Sequence, residues 1–144
     1  PGGVLAPGGH LVTGGHALDC RYVVHCRPVD AALAAAAGGD DERALRRCLR
    51  AAFDTCRALG ARSIALPAVG TGTHGYCATT VARVAASVAL EAQLHADGPE
   101  VIRFLLAGPT TLATFLLALS EARDALSRSA VAPRDALTQH AVVH

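Results

Sequence analysis

The sequence predicts an α/β fold, a three-layer α/β/α sandwich built on a mainly parallel or mixed sheet. Short β-branched runs and amphipathic helical stretches alternate along the chain, an order that demands crossover connections and hence largely parallel strands with helices on their faces. The runs "RSIALPAV" and "EVIRFLLAG" carry no polar alternation, the pattern of strands covered on both sides. Glycine and proline punctuate the segments where each should end. One domain over residues 1–127 is expected, with 128–144 as a weakly ordered tail.

The opening "PGGVLAPGGHLVTGGHALDC" is rich in glycine and proline and has room only for short extended pieces, around His10 to Thr13. "RYVVHC", closed by Pro28, reads as a buried strand. "AALAAAAGG" has alanine's helix propensity, but its terminal glycines favour a loop or loose turn. Asp40 and Asp41 cap a helix in which Leu45, Cys48, Leu49, Ala52, Cys56 and Leu59 recur at three- and four-residue steps up to Gly60. The charges of "DDERALRRCLR" read as its solvated face, with pairs one turn apart. After the strand "RSIALPAV", a helix from about Ala78 to His95 turns Val81, Val84, Ala85, Val88 and Leu94 inward and stops at Gly98-Pro99. "EVIRFLLAG" is a further strand, and Pro109 opens a last helix that decays after Ser127.

Composition narrows the function. With 51% hydrophobic residues, 144 residues can fill a sizeable core. Thirteen basic and 12 acidic residues form no run of one sign, so neither nucleic acid nor an anionic membrane is indicated. Five aromatics are too scattered for a base-stacking platform. The five cysteines are odd in number and form no C-x-x-C pair, which points to a reducing intracellular compartment, cytoplasmic or nuclear, and not to a disulfide framework or zinc site. No apolar run is long enough to span a bilayer. The chain opens on Pro1 and reads as a fragment of a longer protein.

The chemistry concentrates in "SIALPAVGTGTHGYCATTVARV", where a strand meets a helix through Gly70, Gly72 and Gly75. Such a loop lies beyond the carboxyl end of its strand, the usual ligand position in an open α/β sheet. Its unpaired amides and the helix N-terminus favour an anion. Gly72 and Gly75 permit positive φ and close approach to a diphosphate, and Thr71 and Thr73 add hydroxyls. As bare spacing the same glycines also suit a tight turn. The motif is neither a Walker loop nor a G-x-G-x-x-G fingerprint.

"SIALPAVGTGTHGY" resembles the strand and second ligand loop of the macrodomain family, and "VTGGHALDCRYVVHCRPV" resembles the segment before it. The order of elements and "VIRFLLAGPTTLATFLLAL" also fit, over roughly residues 8 to 120. The resemblance implies recognition of ADP-ribose, free or attached to protein. By it, Ala68, Val69, Gly70, Thr71, Gly72, Thr73, His74, Gly75 and Tyr76 form the ligand loop, with residues 70 to 75 lining the phosphates. His74 would pack on the distal ribose, and Tyr76 would brace the loop from beneath. No catalytic residue, metal or cofactor is implied: the asparagine that hydrolytic relatives use near the distal ribose has no counterpart, because the chain contains none. The family's N-terminal strands and first glycine loop have no match either.

Other candidates are weaker. His25 reads as a core histidine bonded to backbone, Cys77 as a plain helix-start residue rather than a nucleophile, and His10 with His16 lacks a third metal ligand. The leading expectation is a non-catalytic binding module for ADP-ribose or ADP-ribosylated protein. A degenerate scaffold or oligomerisation unit comes second, and an ADP-ribosyl hydrolase last. If strands are missing, a bare sheet edge invites self-association or a partner.

Overall fold

The computed structural model of the protein describes residues 5–38, 40–128 and 142–143. In chain order the elements are β1 (His10–Gly14), β2 (Tyr22–Cys26), α1 (Ala31–Ala36), α2 (Asp41–Ala58), β3 (Ser63–Pro67), α3 (Ala78–Leu94), β4 (Val101–Leu106), α4 (Pro109–Arg128) and β5 (Val142–Val143). β1 and β2 form an antiparallel hairpin, while β3, β4 and β5 form a parallel sheet in that order. This is an α/β sandwich with a mixed strand arrangement, as the alternation of elements requires. The expected tail falls largely outside the described residues; within it, the backbone of Val142–Val143 pairs with Leu105 and Leu106.

One apolar core unites the parallel sheet and its helices. Leu45, Leu49 and Phe53 of α2 meet Leu66 of β3, the inward row of α3, Phe104 of β4 and Phe115 of α4. Phe104 and Phe115 lie with ring centroids 5.1 Å apart, tilted by 54°, a geometry that adds to the area both rings bury. α3 packs closely because its buried face is mostly alanine and valine. The Asp40 side chain caps α2 by accepting from the Arg43 amide at 3.2 Å, and Gly60 leaves the helix at φ +68°, a left-handed step that glycine takes without a Cβ penalty.

Four local expectations are corrected. The alanine run forms the short helix α1, with Ala34 buried, because alanine's propensity outweighs the glycines beyond it. β2 is half-exposed and not a buried strand, and His25 on it is exposed, facing the Thr13 hydroxyl at 3.0 Å across the hairpin. On β3 only Ile64 and Leu66 turn inward, while Ser63, Ala65 and Pro67 are exposed, so that strand is covered on one face. Finally, the charges of α2 reach across to α3 and beyond. Arg83 bonds Glu42, Arg46 and Arg50 both bond Glu91, and Arg57 approaches Asp97.

The Arg46–Glu91–Arg50 triad is the densest of these bridges, with Ser87 also donating to Glu91 at 2.9 Å. Burial alone would raise the Glu91 carboxyl; hydrogen bonds from Arg50 and Ser87 and the two guanidinium charges outweigh it and hold the pKa below the usual value. A folded-state pKa below the unfolded one contributes stability that is complete above the unfolded value and fades as pH falls through the folded one. Each half-exposed pair is worth about 0.2–1 kcal/mol. Glu91→Gln is therefore expected to cost about 1 kcal/mol near neutral pH, with the gap to the parent closing below about pH 4; urea denaturation at both pH values reads it. A gap independent of pH would contradict this role for the triad.

Candidate functional site

Residues Ala68 to Tyr76 connect β3 to α3 and form a compact loop anchored from below. The Tyr76 ring is buried in the core, and its hydroxyl donates to the Val29 carbonyl at 2.8 Å. Burial first, and nearby acidic and thiol groups second, push this phenol above its ordinary pKa. Opposite the ring lies Gly70 at φ +99°, where an added Cβ would stand 3.0 Å from Tyr76 Cδ2. Any side chain at this position meets both a disfavoured backbone conformation and the ring. A second anchor comes from α1, whose Ala31 amide donates to the His74 carbonyl at 2.9 Å.

The loop spends part of its own hydrogen-bonding capacity. The amides of Val69, Thr71, Gly75 and Tyr76 donate to the carbonyls of Pro67, Ala68, Gly72 and Gly70 at 2.9–3.3 Å. The Thr71 hydroxyl donates to Ala68 as well. Among the described residues, the amides of Gly70, Gly72, Thr73 and His74 make no hydrogen bond within the protein. Thr71, Gly72, Thr73 and Gly75 are exposed, with His74 half-buried beside them. Chemically this is a small patch of outward-available donors next to a helix start, suited to an anion. Positive φ occurs at Gly70 and Gly75 and not at Gly72, which has open space around it.

α3 opens at Cys77, which is exposed and whose thiol makes no capping bond to the first turn. The Thr79 and Thr80 amides still favour its thiolate and, with the Thr79 hydroxyl, lower the thiol's pKa. Among the described residues, no three of the histidines, cysteines, aspartates and glutamates cluster so as to hold a metal ion. His10 instead contacts the Thr55 hydroxyl at 2.8 Å, and His16 occupies the turn after β1 at φ +51°. His25 stands on the hairpin with Thr13. The structure thus brings Ala68–Tyr76, Val29 and Ala31 together and leaves the other histidines outside the loop.

A cavity of about 880 Å³ runs from this loop, at Ala68–Gly70 and His74, along the space between β2 and β3. On its wall the Cys26 thiol is lowered to about 7, chiefly by hydrogen bonding from Cys48, whose own thiol is pushed up. Val29 and Ala31 were not among the site residues expected from sequence. A buried tyrosine hydroxyl implies some acceptor, yet nothing in the local pattern identifies a carbonyl 47 positions away.

Comparison with known proteins adds the following. The family model described as Macro domain matches residues 2–85. No curated protein matches the chain. Among solved structures, the Oceanobacillus iheyensis macrodomain with ADP superposes with a TM-score of 0.73 at 20% identity, covering 84% of this chain and 62% of that one. The same macrodomain with MES bound gives 0.72 at 20% identity, with 84% and 62% covered. A mutant of it with ADPR gives 0.72 at 20% identity, with 83% and 62% covered. At such identity the likeness is one of fold, and the chain spans about three-fifths of the length of these relatives.

The loop geometry separates its glycines. Gly70→Ala is expected to lose about 1–3 kcal/mol of stability, whereas Gly72→Ala should stay within about 0.5 kcal/mol of the parent; chemical denaturation of both variants measures the difference. Equal losses would contradict the anchored conformation.

Proposed function

The chain belongs to the Macro domain family, and from that premise we propose that it is a non-catalytic module that binds ADP-ribose, free or attached to protein, with the diphosphate held at Ala68–Tyr76. One observation carries this reading: the amides of Gly70, Gly72, Thr73 and His74 have no partner within the described protein, on a loop that is otherwise fixed. A diphosphate brings negative oxygens that accept from several such amides at once, and each charge-assisted bond is stronger than a neutral one. The N-terminus of α3 adds its partial positive charge from the same side. The solved macrodomains that resemble this chain include structures with ADP and with ADPR, ligands that share this diphosphate.

In this proposal residues 70 to 75 line the phosphates, the His74 imidazole packs beside the distal ribose, and Tyr76 supports the loop without touching the ligand. Its burial and its bond to Val29 suit that supporting role. The non-catalytic part of the proposal rests on the lack of asparagine in residues 1–144. A reducing intracellular setting belongs to the same reading, and all five cysteines are free thiols. Among the described residues, no helix is long and apolar enough to cross a membrane.

Isothermal calorimetry with ADP-ribose tests the proposal. Saturable heat is expected from the parent, and Gly72→Glu should weaken binding by at least about tenfold, or about 1.4 kcal/mol, because its carboxylate would face the phosphates. No heat from the parent leaves the scaffold reading in its place. Release of ADP-ribose from a modified protein would overturn the non-catalytic part alone.

A further inference from the structure

The two faces of the β1–β2 hairpin carry different chemistry. Thr13 and His25 meet on one face at 3.0 Å, so the alternate residues, among them His10 and its directly paired Cys26, face the other way. His10 shows what lies there: its Nε2 is 2.8 Å from the Thr55 hydroxyl of α2. Cys48 stands seven residues before Thr55, about two turns along the same side of that helix. It is only 2% exposed. The register of the hairpin and the turn of the helix therefore aim two thiols at one another, and the two are hydrogen-bonded.

The pair divides its roles unequally. The Cys48 S–H donates to Cys26 and, against the effect of burial, lowers that thiol's pKa to about 7, so that about half of it is thiolate at neutral pH. Cys48 is pushed the other way, first by the same hydrogen bond and then by burial, and keeps its proton. Cys26 is half-buried, open to a small oxidant. A thiolate beside a protonated thiol is the arrangement of an attacking sulfur and a resolving one. The remaining cysteines are placed differently: Cys20 and Cys77 are exposed, and Cys56 lies eight residues beyond Cys48 on α2.

We propose that Cys26 and Cys48 are a peroxide-sensitive dithiol pair whose reversible disulfide fastens the hairpin to α2. The Cys26 sulfur attacks one peroxide oxygen, the O–O bond breaks, and hydroxide leaves and takes up a proton as water, giving a sulfenic acid. The hydrogen bond holding the Cys48 proton weakens once its acceptor is no longer a thiolate. The Cys48 sulfur then attacks the Cys26 sulfur: the S–S bond forms, the S–O bond breaks, and the departing oxygen takes the Cys48 proton and leaves as water. Each sulfur gives up one electron overall, and the peroxide takes both. The bridge closes three residues before Val29, whose carbonyl fixes Tyr76, so it fastens the segment that supports the loop.

Peptide mapping of the folded 144-residue chain tests this. The chain is treated with a small molar excess of hydrogen peroxide, remaining thiols are blocked with iodoacetamide, and tryptic fragments are identified by mass spectrometry. Fragments 22–43 and 48–50 should appear joined, two hydrogens lighter than their sum, and dithiothreitol should separate them. In Cys48→Ser, dimedone should label Cys26 far more heavily than in the parent, because the sulfenic acid has lost its resolving thiol. Should that variant fail to fold, the map of the parent still decides. After unfolding in urea, the same treatment should scatter the pairing among the five cysteines, since the facing geometry is gone. The proposal is overturned if Cys26 joins Cys20 or Cys56 instead, if Cys26 and Cys48 stay free while Cys20 and Cys77 are oxidised, or if the unfolded chain forms the same link as readily.

Discussion

The site depends on one buried contact, the Tyr76 ring beneath Gly70 with its hydroxyl on the Val29 carbonyl. That single side chain ties the loop after β3 to the segment after β2, two parts of the chain that share no strand pairing. A neutral hydrogen bond of this kind nets only about 1 kcal/mol. Its leverage is geometric: Gly70, at φ +99°, packs against the ring where an added Cβ would stand 3.0 Å from Tyr76 Cδ2. The Tyr76 amide then returns to the Gly70 carbonyl at 3.1 Å and closes the turn. Residues 72 to 74 are left on the outer side of that turn, where their amides find no internal acceptor.

A loop with unspent donors needs a support that does not shift under it. Helices α2 and α3 supply this through two unlike interactions. Their inner faces share one apolar core with Leu66 and Tyr76, which sets their separation. Their outer faces are joined by Glu42–Arg83 and the Arg46–Glu91–Arg50 triad, which sets their register along one another. The anion-facing end of α3 is thereby held against the same body as the tyrosine that shapes the loop.

Much of this architecture was legible in the sequence, and the parts that were not share a physical cause. Order and type of the main strands and helices followed from apolar periodicity and caps, as Asp40 and Gly60 around α2 illustrate. Contacts between distant elements left no such trace. Arg46 and Arg50 of α2 looked like a solvated face because spacing along one helix says nothing of Glu91, 45 and 41 positions further on. His25 lies in an apolar run, yet the strand pairs on one edge only and is half-exposed. Within the loop, spacing singled out three glycines, but not which of them take positive φ: Gly70, against the Tyr76 ring, and Gly75 do, while Gly72 does not. Residues 68 to 76 were identifiable as a unit; how their amides divide between internal and free was not.

That division is the core of the account, and backbone NMR observes it directly. In a titration of the ¹⁵N-labelled chain with ADP-ribose, the amide resonances of Gly70, Gly72, Thr73 and His74 should move together and saturate, while those of Val69 and Tyr76, already bonded internally, move least within the loop. Perturbation confined to residues outside the loop, or strongest at the internally bonded amides, would contradict a diphosphate held by these main-chain donors.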